Sequence, residues 1–510
     1  MKIAIIGAGP AGLIAARNAL HQGFSVVLYE KLERVGGIWN PDSGGAYKNA
    51  RMQNSRNTFH YSTVYPRSQD EFLNVEKVGK YLSDMAHSEK ILSSTQLNTE
   101  IVSLDKNTNG WVVSSIYKGC RKSEVFDRVI VTTGELWQPR KPAIPGAECF
   151  TGKMITSREY HAPETFKGQN VLVIGGGVSG ADIASDLVPY AKSVALSVKK
   201  MGLYIPRKFV NGPNDMMHSY LGRYLISKMN YSRYLSYLDE ALPEYMKLYR
   251  STGMLPELAN NNAVHVNEKI IPNIASGHIT VVPQVERFLA DNKAAFVDAT
   301  QCCYDVVIFC TGYEMPDYSL ITGFDRSRLY EHFFWADDPS LSVINPPVDT
   351  AGFGAAFPYF DVISQWVLGV FSGKISLPPV DIMLEWCTEH MQHLSVKRFY
   401  DSWLETIRIG LNAGVLPDPS EDFGRYWNLI SSVARPAYLS SQPDEPERGR
   451  MDGQFNFETA RVQILAGLGK ETLIGIFKKG DISETDYHAA LATKRPDIII
   501  ATLPYSQSYL

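Results

Sequence analysis

The sequence predicts an α/β protein made of two strand–helix–strand units, the second inserted in the first, with a mostly helical C-terminal part. Three observations carry this. A short apolar run, a glycine triplet and a helix-like segment occur in that order twice, starting at Lys2-Ile-Ala-Ile-Ile6 and at Asn170-Val-Leu-Val-Ile174. Each unit is followed further on by an apolar run ending in Thr-Gly, at Thr133-Gly134 and Thr311-Gly312. From Tyr330 onward the pattern is mixed and then mostly helical. The expected divisions are residues 1–160, then 161–309 with a helical insertion near 206–268, then 310–510, which returns to the first unit before the helices.

Composition sets the bounds. A chain of 510 residues can hold two or three domains, and a net charge of -4 gives no sign of a nucleic-acid surface. The first strand follows Met1 almost at once, so no signal peptide is expected, and no apolar run is long enough to cross a bilayer. Six cysteines without a Cys-x-x-Cys argue against a disulfide framework and against a metal site, with Cys302-Cys303 read as ordinary strand-flanking residues. A cytoplasmic location is expected.

The first unit turns at Gly7-Ala-Gly9-Pro10-Ala11-Gly12, continues as a helix from Leu13 to His21, and ends its second strand, Ser25 to Tyr29, at Glu30. This is the Gly-x-Gly-x-x-Gly fingerprint of a dinucleotide-binding (Rossmann-like) fold, with an acid at the right distance to accept from ribose hydroxyls. Gly7 permits the tight turn, Gly9 the approach of a pyrophosphate, and Gly12 close helix–strand packing. The helix N-terminus favours the phosphate charge. Gly36-Gly37-Ile38-Trp39, just past the acid, is a flavoprotein habit and favours FAD over NAD.

Residues 40–66 read as a loop excursion over the first unit, with clustered amides at Met52-Gln53-Asn54-Ser55-Arg56-Asn57. On composition alone these are turn chemistry. Val75 to Glu89 is a helix, and Thr99–Leu104 and Trp111–Tyr117 are strands of a hairpin turning at 107–110. Asp127 to Gly134 is a buried strand that returns to the first sheet and sets Thr133 and Gly134 beside the cofactor. Pro139, Pro142 and Pro145 mark a crossover.

The second unit turns at Gly175-Gly-Gly177-Val-Ser179-Gly180, and Ala181 to Leu187 starts its helix. Its next strand ends at Ser197, where the first unit has an acid, and Lys199 and Lys200 follow. A hydroxyl and two ammonium groups suit a ribose 2′-phosphate, so NADPH is preferred over NADH; Arg207 is also expected at the cofactor and is the alternative place for the phosphate. Tyr231 to Arg250 has a helical apolar stripe that Pro243 should kink or break. Phe360 to Gly373 and Asp381 to Leu411 are expected helices, Pro443 to Gly449 a surface connection, and Asp497 to Leu510 a strand or tail. Residues expected at the two cofactors also include Lys31, Gln53, Ser55, Ile101, Asp182 and Thr311.

Two such units, one suited to FAD and one to NADPH, imply electron transfer between them, and here the sequence resembles the flavin-containing monooxygenases, the class B flavoproteins. Beyond the two glycine turns, the likeness rests on Val64-Tyr65-Pro66, Phe150-Thr-Gly152, Ser157-Arg-Glu-Tyr160, Cys310-Thr-Gly312-Tyr313, Gln365-Trp366 and Thr459-Ala-Arg461, in the family's order. The resemblance implies a C4a-hydroperoxyflavin that oxygenates a small-molecule amine or sulfur substrate with O2, and it allows a homodimer. It also makes Asn54, by its spacing to Tyr65-Pro66, the active-site asparagine between flavin and nicotinamide. One departure is plain: the family's Phe-x-Gly-x-x-x-His ends here in Thr156, which cannot carry charge near neutral pH. Tyr160 resembles the N- and S-oxygenating branch rather than the Baeyer–Villiger monooxygenases. The alternatives are a Baeyer–Villiger enzyme, an NADPH oxidase or reductase without oxygen transfer, and a nucleotide-binding regulator that has lost turnover.

Overall fold

Lys2–Ile6 (β1) is buried along nearly its whole length, as a continuous apolar run in a sheet covered on both faces should be. Pro10–His21 (α1) follows, and Ser25–Tyr29 (β2) lies parallel to β1 with Lys2 opposite Ser25 and Ile6 opposite Tyr29. Val75–Ser88 (α2) begins at Asn74, whose side chain accepts from the Lys77 backbone N–H. Thr95–Gln96 (β3) extends the sheet beyond β2. The expected hairpin is Thr99–Asn107 (β4) and Gly110–Tyr117 (β5), and Cys120–Phe126 (β6) adds a third antiparallel strand that the sequence reading did not anticipate. Arg128–Val131 (β7) returns to the first sheet beside β1. These are features of a computed structural model that describes residues 1–210, 212–257, 264–345, 356–394, 402–433, 435–436, 447–494 and 496.

The chain then changes sheets. Lys153–Thr156 (β8) already pairs with the strand Val306–Phe309 of the second sheet, ahead of the division expected at residue 160. Asn170–Ile174 (β9), Val178–Leu187 (α3) and Ser193–Ser197 (β10) form the second strand–helix–strand unit. Its five parallel strands run in the order Ile279–Val282, β10, β9, Val306–Phe309, β8. Between β10 and Ile279 lie Tyr220–Ser227 (α4), Tyr231–Ala241 (α5) and Pro243–Ser251 (α6). The expected break falls at Leu242, and Pro243 opens α6 where its missing N–H costs nothing. Tyr237, Leu238, Met246 and Tyr249 pack from these helices into the core of the second unit.

After Phe309 the chain goes back to the first sheet. Leu341–Val343 lies parallel beside β7, and Phe334–Trp335 and Leu329–Tyr330 follow it as antiparallel strands, completing seven. The helix Ala356–Phe371 packs along α1, where Asn18 Nδ2 donates to Asp361 Oδ1 at 2.9 Å. Of the long helix expected over 381–411, Val380–Leu394 and Ser402–Asn412 are helical, and residues 395–401 lie outside the described residues. The stretches expected at 497–510 and at 443–446 lie outside the described residues.

The largest core joins α1, α2 and the C-terminal helices, with Trp366 fully buried at its middle and its ring edge-on to Phe334 at 5.0 Å. Trp366→Ala should cost ~3–5 kcal/mol, the usual penalty for emptying such a site. A denaturant titration should show it as a lower midpoint, while Trp366→Phe, which keeps a ring against Phe334, should recover most of the loss.

Candidate functional site

In the first turn the three glycines divide the work. Gly7 has φ +104°, and a Cβ on it would sit 2.6 Å from the Thr132 carbonyl oxygen. A Cβ on Gly12 would lie 1.8 Å from the Gly7 carbonyl oxygen, closer than any side chain permits. Gly9 has no such clash: the nearest atom, Gly37 Cα, is 3.6 Å away, and as the N-cap of α1 it leaves the helix N-terminus without a side-chain cap. The outer glycines therefore serve packing, and the middle one leaves an open cradle before uncapped N–H groups, which fits a pyrophosphate. Gly37 (φ +57°) presses from the other side, a Cβ there falling 2.9 Å from Gly9 Cα, and it opens the short helical turn Gly37–Trp39 that holds Ile38.

Glu30 is buried and closes this turn. Its Oε2 accepts from the Ala8 N–H at 2.8 Å and its Oε1 from the Leu32 N–H at 2.9 Å. Burial raises its pKa, and the N–H groups of Leu32 and Ala8 with the neighbouring Lys31 charge act against that. A carboxylate has lone pairs beyond those two, so ribose hydroxyls can still be received. Lys31 lies over the Trp137 ring at 4.5 Å. At the end of β7, Asn345 Oδ1 accepts from the Gly134 N–H at 2.8 Å and its Nδ2 donates to Thr133 Oγ1 at 3.2 Å, a partner that the sequence did not disclose. Ile101 is half-buried against the core that contains Val129 and Val131, so it contributes apolar packing.

The second turn repeats the first. Gly175 has φ +117°, and its Cβ would meet the Cys310 carbonyl oxygen at 2.3 Å. Gly180 would meet the Gly175 carbonyl oxygen at 1.8 Å, while Gly177 has open space around it and is again an uncapped N-cap, here of α3, whose first turn holds Ser179 and Ala181. Tyr204 OH donates to the Gly176 carbonyl at 2.5 Å and pins the loop. The expected 2′-phosphate set divides. Lys199 and Lys200 are exposed and make no ion pair among the described residues, but Ser197 is buried and its hydroxyl donates to the Pro283 carbonyl at 2.7 Å. Arg207 is buried too, donating to Glu268 Oε2 at 2.7 Å and to the Met52 carbonyl at 3.1 Å, so its guanidinium is committed within the protein.

The two units meet through polar side chains. Asp182 takes Tyr47 OH at 2.9 Å and Asn267 Nδ2 at 2.5 Å, with Arg207 at 4.0 Å; burial raises its pKa and these partners oppose the rise. It joins the loop at 47 to α3 rather than facing open space. Thr311 Oγ1 donates to the Arg140 carbonyl at 2.6 Å, and Pro139 pairs with Tyr313, so the outgoing and returning crossovers run side by side. Thr156 donates both its N–H and its hydroxyl to Glu159 Oε2, at 2.8 and 2.9 Å, capping the turn that carries Arg158 and Tyr160. Arg158 stacks 3.9 Å from the Trp137 ring and donates to the Ser43 carbonyl, and Tyr160 OH donates to Asp186.

The amide segment lies across this joint. Tyr61 OH donates to the Pro10 carbonyl at 2.7 Å, at the start of α1. At the other end the Met52 carbonyl receives Arg207, and the Ser55 N–H donates to Asp215 Oδ2 at 2.6 Å, as does the Thr58 hydroxyl. Gln53 and Asn54 are half-buried, and among the described residues no group hydrogen-bonds the Asn54 amide. Tyr61, Tyr204 and Asp215 were missed from the sequence; a lone tyrosine, and an aspartate in Asn-Gly-Pro-Asn-Asp, read as packing and turn chemistry.

Two variants test the first turn. Gly12→Ala should abolish flavin retention, because backbone rather than a movable side chain fills the space. Glu30→Gln should turn an NH2 toward Ala8 or Leu32 and lose a charge-assisted acceptor, ~1.5–3 kcal/mol. Purified protein should then show a low flavin-to-protein absorbance ratio, and full occupancy in either would refute the placement.

A family profile described as flavin-binding monooxygenase-like matches residues 1–424. Flavin-containing monooxygenase 3 of Macaca mulatta is 30% identical over 425 residues, 77% of each chain, and flavin-containing monooxygenase 5 of Cavia porcellus is 28% identical over 494 residues, 91% of each. Two solved structures share the fold. The S-allyl-L-cysteine S-oxygenase of Allium sativum has a TM-score of 0.61 at 22% identity, covering 81% of this chain and 88% of that one. Closed cyclohexanone monooxygenase has 0.62 at 16% identity, covering 81% and 92%. Among the described residues no helix is long and apolar enough to cross a membrane. With a profile match over most of its length and a relative at this identity, the chain belongs to the flavin-binding monooxygenase-like family, flavin-dependent oxidoreductases that use FAD and NADPH.

Proposed function

We propose that this chain transfers one oxygen atom of O2 to a soft nucleophile, an amine nitrogen or a sulfur of a small molecule, at the expense of NADPH. The observation that carries the reading is the segment 52–61, tied to α1 by Tyr61 and to the second unit by Arg207 and Asp215, with the half-buried Asn54 held between those ties. FAD, when bound, supplies the hydride acceptor and, once reduced, the activation of O2. The protein's part is then to position and to exclude water, which needs no strong acid or base.

On this reading Glu30 and the Gly9 cradle hold the FAD adenosine and pyrophosphate, and the Gly177 cradle holds that of NADPH. Lys199 and Lys200 supply the charge for the 2′-phosphate, without Ser197 or Arg207. Asn54 offers both a donor and an acceptor: its Nδ2 serves the electron-rich flavin ring and its Oδ1 the nicotinamide. Thr156 acts as a cap on the joint, a task that needs no charge.

Lys199→Ala with Lys200→Ala should narrow the NADPH-over-NADH preference mainly by raising the KM for NADPH, and the difference should shrink with added salt, because exposed ammonium groups act as screened point charges. An unchanged preference would move the phosphate elsewhere.

Asn54→Asp keeps the size of the side chain but sets a carboxylate where a donor is needed. In a dry site water cannot replace the donor. FAD content should hold, since the adenosine end is untouched, while H2O2 released per NADPH oxidised rises at the expense of product; Asn54→Ser should be milder. A fully coupled Asn54→Asp enzyme would return the amide cluster to turn structure. A substrate panel decides the class: coupling with amines or thioethers supports the proposal, coupling with ketones alone indicates Baeyer–Villiger chemistry, and prompt H2O2 with every compound indicates an oxidase.

A further inference from the structure

Asp215 is an unusual carboxylate in this molecule. It sits in the short turn Asn214–Met216 of the inserted segment, is 6% exposed, and points its Oδ2 into the first unit's amide segment. That one oxygen receives both the Ser55 N–H, at 2.6 Å, and the Thr58 hydroxyl. Its other oxygen is buried without a hydrogen-bond partner among the described residues. A buried charge spent on two groups of a loop is costly, and where such a carboxylate exists its geometry is strongly enforced. Burial favours its neutral form, and the Thr58 and Ser55 bonds favour the charged one.

The residue next to this anchor is Asn54. On its other side the Met52 carbonyl is held by Arg207, which is itself held by Glu268 and faces Asp182 in the first turns of α3. The backbone on both sides of Asn54 is therefore fixed by side chains that belong to the second unit.

We propose that Asp215 is a positioning residue for oxygen transfer, the inserted unit's carboxylate that locks the Ser55–Thr58 turn and so sets the Asn54 amide in register with both nucleotide turns. The inference rests on the reading of Asn54 given above. It makes coupling depend on a residue of the second unit, because any slackening at Ser55 moves Asn54 directly.

A double-variant cycle tests this, using whole flavin-loaded protein, NADPH and air without added substrate. Asp215→Asn should raise the rate of H2O2 release several-fold with flavin content retained, and hydrogen exchange should rise at residues 52–58 but not in α1 or α3. In the Asn54→Ser background the same change should add nothing, since the group it positions has already been removed. Multiplicative effects in the double variant would overturn the proposal, as would a folded, flavin-loaded Asp215→Asn protein with unchanged H2O2 release. Where Asp215→Asn does not accumulate as folded protein, Thr58→Val removes one donor and keeps the carboxylate; it should give a smaller rise that also vanishes with Asn54→Ser, and no rise would overturn the proposal. The two readings fail separately. An effect of Asn54→Ser without one of Asp215→Asn sinks the positioning role alone, whereas the reverse sinks the assignment of Asn54 and the positioning role with it.

Discussion

One tight packing contact recurs in both units. In each unit the helix after the glycine turn crosses its strand so tightly that a single methyl group on Gly12 or Gly180 would fall 1.8 Å from a carbonyl oxygen. Only glycine satisfies this, and the helix N-termini are thereby brought down onto the C-terminal ends of β1 and β9, where an anion meets unpaired N–H groups. Each first glycine in turn lies under a returning strand, Gly7 below Thr132 and Gly175 below Cys310. Both Thr-Gly segments follow from that packing, because the strand must turn away immediately after making it.

The joint between the units has a different character. It is made of hydrogen bonds from polar side chains to loop backbone and side-chain groups, through Asp182, Arg158, Arg207 and Asp215, with Trp137 as a stacking surface for two cations. Burying these groups is unfavourable unless each is paired. They contribute alignment more than cohesion, while the apolar cores on either side of the joint hold the units themselves together.

Much of this was legible in the sequence, for reasons that can be named. Gly7 to Glu30 and Gly175 to Ser197 encode local geometry, and local geometry is written in adjacent residues. Pro243 ended α5 as its missing N–H requires. What was not legible depends on partners far along the chain. Ser197 looked free for a phosphate until Pro283 took its hydroxyl, and Arg207 looked like a phosphate ligand until Glu268 and Met52 engaged it. Residues 153–156 looked like the end of the first unit, because an edge strand carries no mark of which sheet it joins.

The pairing of Leu341–Val343 with β7 has a consequence for how the chain assembles. These strands are neighbours in the first sheet, yet the whole second sheet is threaded between them in sequence. Closing that contact from an unstructured chain means gathering a very long loop, an entropic cost that grows with its length. The second sheet lacks this handicap, since all its strands lie between residues 153 and 309 and its entry and exit strands are hydrogen-bonded neighbours. Once folded, it draws its two ends to within about 13 Å, the length of a four-residue strand. It then acts as a short rigid staple rather than a long tether, so the insertion lowers the kinetic barrier to finishing the sheet that it interrupts.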